Sequence, residues 1–235
     1  MAIESLKKEL NALGSPHQAR HAQRFFKTGK GEYGEGDRFI GVRMPQIRAV
    51  AKKYRSLSLT NVRRLLRSPV HEERMTALLI WVFQYEKGDI VAREKIFHSY
   101  LSSTRYINNW DLVDLSAPTI VGNHLLKGSK QLLKDLSASH DLWERRIAVL
   151  ATFPMIRSGD FAPTLLVSRR LLKDPHDLIH KATGWMLREV GKRDLPCLEE
   201  FLKKHYLKMP RTMLRYAIEK LPKKQRKAYL SGKVV

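Results

Sequence analysis

The chain has 235 residues, 43% of them hydrophobic, enough apolar material for a real core, so disorder is excluded as the starting assumption. Forty-four lysines and arginines against 23 acidic residues leave a formal charge of +21; self-repulsion at that level costs stability and calls for an acidic partner, nucleic acid ahead of an anionic membrane or an acidic protein. The single cysteine, Cys197, excludes an intrachain disulfide and a cysteine-rich zinc site, and reads as a packing residue rather than a nucleophile.

The first residues, MAIESLKKELNALG, mix charge into apolar positions and lack the apolar stretch of a signal peptide. A cytoplasmic protein, associated with the nucleoid through its DNA, is the expectation. Ser15 before Pro16 starts a helix with a cap and a proline in its first turn. The segment Gly29 to Pro45 then breaks the helical pattern with five glycines. It reads as an inserted loop or short hairpin near residues 29–38, and Tyr33, Arg38 and Arg43 suit it either to probing a nucleic-acid groove or to turning the chain. Gly29 to Gly34 spells Gly-x-Gly-x-x-Gly, but a dinucleotide site needs a strand before it and a helix directly after it. A helical pattern precedes it and Pro45 delays the next helix, so a nucleotide site is rejected.

Beyond Pro45 apolar residues recur at spacings of three and four, as in Leu78, Leu79, Trp81, Val82 and Tyr85, and β-branched alternation is scarce. The longest apolar run, Thr76 to Phe83, is far short of the roughly 20 residues that span a bilayer. Asn108 with Asp111, then Asp141, then Asp174 before Pro175 mark further helix starts. The segments from Glu72, Trp143, Leu178 and Met213 stack with a small residue in one register, Ala77, Ala148, Ala182 and Ala217; the segment from Trp110 fills the gap. The interval is about 35 residues, the period of helical-hairpin arrays whose units bury their apolar faces only by stacking. The expected fold is all-α, a superhelical solenoid of tandem HEAT-like hairpins forming a single domain over residues 1–235, with a non-repeating bundle as the alternative. The tail from Phe201 to Val235 holds eleven lysines or arginines and one acidic residue, Glu219, and reads as a solvated face or an extended phosphate track.

Nine scattered histidines form no metal-binding signature. His17 with His21 and His176 with His180 have helical pair spacing but no carboxylate at ligand distance, and read as exposed or capping residues. No metal or cofactor is expected. Trp110 and Asp114 lie four apart, on one face of a short helix that Pro118 ends. An aspartate in a phosphate-attracting array needs a reason: an ion pair with an arginine of the next repeat, such as Arg145 or Arg146, or chemistry.

Taken together, WDLVDLSAPTIVG, WERRIAVL and ATGWMLREVGK resemble the HEAT-like repeat DNA glycosylases of the AlkD type, over nearly the whole chain and in the same order. The resemblance implies excision of cationic N3- and N7-alkylpurines from duplex DNA, by a monomer with no cofactor, on a basic concave face without a deep base-flipping pocket. Carried over by position, it implies catalytic roles for Asp114, Trp110 and Trp185 and phosphate contacts by Arg146 and Arg188; we add Arg145, Arg43, Lys181 and Arg215 to the DNA-binding set. Two positions depart from the family pattern: Arg43 replaces a glutamine in the stretch Phe39 to Pro45, and Phe25 stands in place of a tyrosine. They keep open an alternative, a non-catalytic binder of damaged or branched DNA.

Overall fold

Apolar residues at three and four spacing become helices throughout. The computed structural model describes residues 2–233, so Met1 and the last two residues of the basic tail, Val234 and Val235, lie outside the described residues. Among the described residues there is no strand, only an isolated bridge between Arg38 and Val70. No helix among them is long and apolar enough to cross a membrane. The chain divides into two compact units, Met1–Ile120 and Val121–Val235.

The first unit contains α1 (Ala2–Ala12), α2 (Pro16–Phe25), α3 (Met44–Lys53), α4 (Leu59–Leu66), α5 (His71–Lys87), α6 (Ile90–Leu101) and α7 (Trp110–Ala117). Thirteen of the seventeen residues of α5 are buried, so it is the strut against which α1, α3, α4, α6 and α7 pack. Ser15 caps α2 and Pro16 opens it, as the sequence requires. The start of α7 differs from expectation: Asn109 is the cap, with its side chain accepting from the Trp110 amide, while Asn108 donates to Asp37 and Asp111 accepts from Leu112 N–H through Oδ1 and faces His71 through Oδ2. Past Ala117 the chain continues through Pro118–Gly122 as one wide π-helical turn, a rare form that accommodates the lost proline donor.

The glycine-rich segment is a series of turns rather than a paired hairpin. Its amides are satisfied locally, Gly29 N–H donating to Glu32 Oε2 (2.9 Å) and Gly31 N–H to Glu35 Oε2 (2.7 Å). The element before it is α2. Gly41 has φ of +80°, and a Cβ there would lie 2.2 Å from the Ser15 carbonyl oxygen, so only glycine lets this segment dock on the start of α2.

The second unit contains α8 (Gln131–Ser137), α9 (Leu142–Leu150), α10 (Phe153–Arg157), α11 (Ala162–Arg170), α12 (Asp177–Gly191), α13 (Leu195–His205), α14 (Arg211–Ala217) and α15 (Lys223–Ser231). Asp141 caps α9 as expected. At α12 the cap is His176, which accepts from Leu178 N–H; Asp174 instead accepts from the His176 amide one step earlier. The capping reading of His176 therefore holds. Leu187, Leu198, Leu202, Met213, Leu214 and Ile218 form the core between α12, α13 and α14. α12 and α14 approach closely at Gly184, where a Cβ would meet the Met213 carbonyl oxygen and Tyr216 Cβ, each at 2.5 Å. The small residues of the repeat register, Ala77, Ala148, Ala182 and Ala217, are all buried.

Candidate nucleic-acid interface and active site

In the first unit Trp110 and Asp114 occupy successive turns of one face of α7, both half-buried. Trp110 is held in a stack of rings. Phe26 lies against it at 5.4 Å with an interplanar angle of 25°, and Phe25 meets it edge-on at 5.9 Å. Phe25 is 57% exposed, so the stack ends in an open aromatic surface. Behind it Phe26 stacks on Phe39 (5.1 Å) and both rings lie against the imidazole of His71. The negative charge of Asp114 is felt at the buried phenol of Tyr100: burial pushes that hydroxyl far above its ordinary range, Asp114 adds to the rise, and a hydrogen bond with Ser116 opposes it.

Sequence reasoning missed the charged cluster that supports this aromatic wall. His71, Glu72, Glu73 and Arg74 open α5 and all four are buried. The carboxylate of Glu72 accepts from three successive amides, Ile40 (3.1 Å), Gly41 (2.7 Å) and Val42 (3.3 Å), and so fixes the end of the glycine-rich segment. Asp37 of that segment points back to α5 and accepts from Arg74 (2.7 Å) and His71 (3.2 Å). Burial works against the Asp37 carboxylate, but these partners hold its pKa below the usual value. The second nitrogen of His71 faces Asp111 Oδ2 at 2.8 Å, in the first turn of α7. A cavity of about 210 Å³ opens beside the cluster, bordered by His21, Phe25, Phe39, Arg43, His71 and Asp111. The only sequence signal was an unpatterned run of four charges directly before the longest apolar run.

Arg43, just before α3, is exposed at the rim of that cavity. Of the basic residues in the second unit, Arg215 is exposed on α14. Arg145 donates from Nε to Asp174 (2.6 Å) and from Nη1 to the carbonyls of Ser139 and His140. Arg146 is 5% exposed and donates to the Leu178 carbonyl (2.6 Å), which ties α9 to the first turn of α12. Lys181 pairs with Asp177 one turn earlier at 2.7 Å, and Arg188 pairs with Glu219. Trp185 is half-buried on α12, its ring 6.1 Å from Phe153, and the Arg157 guanidinium covers the Phe153 ring at 4.3 Å. Phe153 and Arg157 form a cation–aromatic pair beside Trp185 that the sequence did not reveal. Among the described residues no three histidines, cysteines or carboxylates gather as a metal site.

The model of a family described as DNA alkylation repair enzyme matches residues 6–221. A solved structure described as a predicted DNA alkylation repair enzyme from Enterococcus faecalis shares the fold, with a TM-score of 0.68 and 16% sequence identity over 89% of this chain and 97% of that one. No curated protein matches the sequence.

Proposed function

The chain belongs to the DNA alkylation repair enzyme family, and from that premise we propose that it is a monofunctional DNA glycosylase that excises cationic N3- and N7-alkylpurines from duplex DNA. The observation that carries this reading is the α7 face, where Asp114 stands one turn from Trp110 and Trp110 is backed by Phe25 and Phe26. Alkylation at N3 or N7 makes the purine cationic, so it departs with the electron pair of its bond to C1′ and leaves as a neutral base. The sugar left behind is oxocarbenium-like. A carboxylate stabilises that charge, orients water toward C1′, and accepts the proton that the water loses on attack. Asp114 has this role. The face of Trp110 attracts the cationic base and packs on the sugar.

The protein works as a monomer, without a cofactor and without a deep pocket for a flipped base. Among its basic residues Arg43 and Arg215 are exposed and ready for phosphate. Arg145, Lys181 and Arg188 reach phosphate by exchanging a carboxylate partner, and the buried Arg146 fixes the α9–α12 junction beneath them.

Incubation with a duplex carrying a single N7-methylguanine tests this. The expected result is a stoichiometric abasic site; its absence overturns the reading. A specific observation favours a second one, a non-catalytic binder of damaged or branched DNA: the guanidinium of Arg43 is exposed at the cavity rim, available to a phosphate, where the family pattern has a neutral side chain. Markedly tighter binding to a four-way junction than to linear duplex at the same salt, without excision, would establish it.

A further inference from the structure

His71, whose side chain is 4% exposed, faces a carboxylate oxygen at each ring nitrogen: Asp37 at Nδ1 (3.2 Å) and Asp111 at Nε2 (2.8 Å). A neutral imidazole has one N–H, so one carboxylate would then meet a lone pair. Both contacts are hydrogen bonds only when the ring is an imidazolium. Charge balance gives the same answer. Asp37 and Asp111 carry two negative charges, and Arg74 with a protonated His71 carries two positive ones. Loss of the proton would leave a buried negative charge without its counterpart. Phe39 at 4.6 Å and Phe26 at 5.1 Å lie against the imidazole, a favourable setting for a cation.

His71 reaches α7 by two routes. Through Nε2 it holds Asp111 in the first helical turn. Through its own ring it supports Phe26, which stacks on Trp110. We propose that His71, as an imidazolium, is a positioning residue that clamps the glycine-rich segment to α7 and thereby sets the placement of Trp110 and Asp114.

The groups facing His71 are Asp37 from the segment, Asp111 from α7, and Glu72 and Arg74 on α5 itself; His21 of α2 and Arg43 before α3 border the same cavity. Glu72 is committed to three backbone amides. Burial alone would push the His71 pKa down, yet the charge and hydrogen bond of Asp111, with the bond to Asp37, raise it to about 9 against the opposing charge of Arg74.

Nitrogen-15 NMR of the histidine rings and the tryptophan emission, with Trp110 identified through Trp110→Phe, test the clamp in the full chain. We expect both nitrogens of His71 protonated at pH 7.5, and a change in Trp110 emission sharing the alkaline midpoint of His71. In His71→Gln that emission should lose its pH dependence, and the single-turnover excision rate should fall on the order of 10- to 100-fold with DNA affinity retained, the size expected for a small misplacement of reacting groups. A neutral His71 at pH 7.5, or Trp110 emission that stays flat while His71 titrates, overturns the inference. The wild-type spectra decide it even if the glutamine variant does not fold. The inference rests on the glycosylase reading for its kinetic arm: a wild-type protein that excises nothing defeats that reading, while the spectra still decide the clamp.

Discussion

Alkaline titration removes one proton from the interior of the first unit, and the cost can be worked from His71. Its pKa rises from an ordinary 6.5 to about 9 in the folded chain. At about 1.4 kcal/mol per pH unit, the imidazolium contributes about 3 kcal/mol to stability. Because the folded value is the higher one, this contribution is complete below pH 6.5 and shrinks as the pH rises. It is gone once the pH has passed about 9. Lysine and tyrosine ionisation also act in this range, but they act alike on the wild type and on His71→Gln, so the difference between the two proteins isolates the clamp. For a chain of this size 1 kcal/mol moves the Tm by roughly 2–4 °C, so the Tm advantage of the wild type should narrow by roughly 6–12 °C on going from pH 6 to pH 10. Circular dichroism melts across that range at fixed ionic strength measure it. A Tm difference independent of pH would refute the assignment of His71 as a buried cation.

Three further outcomes follow from the geometry. Glu72→Ala leaves three amides, those of Ile40, Gly41 and Val42, without their charged acceptor; at about 1–3 kcal/mol per stranded donor the loss should be at least about 3 kcal/mol by urea titration, with faster hydrogen exchange at residues 40–42. Gly184→Ala places a Cβ 2.5 Å from the Met213 carbonyl and from Tyr216 Cβ, and the shift of α14 it forces should cost about 1–3 kcal/mol, read as a lower denaturation midpoint. The double variant Lys223→Glu with Lys224→Glu alters two exposed cations on α15. If they contact phosphate, the salt slope of DNA binding should shrink by about two, measured by fluorescence anisotropy between 50 and 200 mM salt.

The helical periodicity was legible because each apolar stripe needs only its own neighbours three and four positions away. Local caps such as Ser15 and Asp141 were legible for the same reason. Two starts were displaced by one or two residues. Asn109 caps α7 with its Oδ1 while its Nδ2, like that of Asn108, donates to Asp37 more than 70 positions away, and His176 capped α12 because Asp174 was committed to Arg145. Of the loop and the hairpin that the glycine-rich segment allowed, the loop formed, with Glu32 and Glu35 folding back onto its amides.

The pair Trp110 and Asp114 could be read from a four-residue spacing, whereas the cluster behind it could not. His71 meets Asp37 and Asp111, Arg74 meets Asp37, and Glu72 meets the amides of residues 40–42, all across 30 or more positions. Such pairings leave no periodic trace in a sequence. They are set by packing, and they place a fully charged network beneath an aromatic wall that composition alone would assign to an apolar core.

The role proposed for Asp114 is on the transition state rather than on DNA binding. Single-turnover excision of N7-methylguanine by the wild type and by Asp114→Asn, alongside the Kd of each for the same duplex, tests it directly. The expected rate for Asp114→Asn is lower by at least about 100-fold, the size of loss that follows removal of one electrostatic stabiliser, with a Kd unchanged or slightly tighter because a negative charge near phosphate has been removed. Equal rates in the two proteins, or a loss confined to Kd, would contradict it.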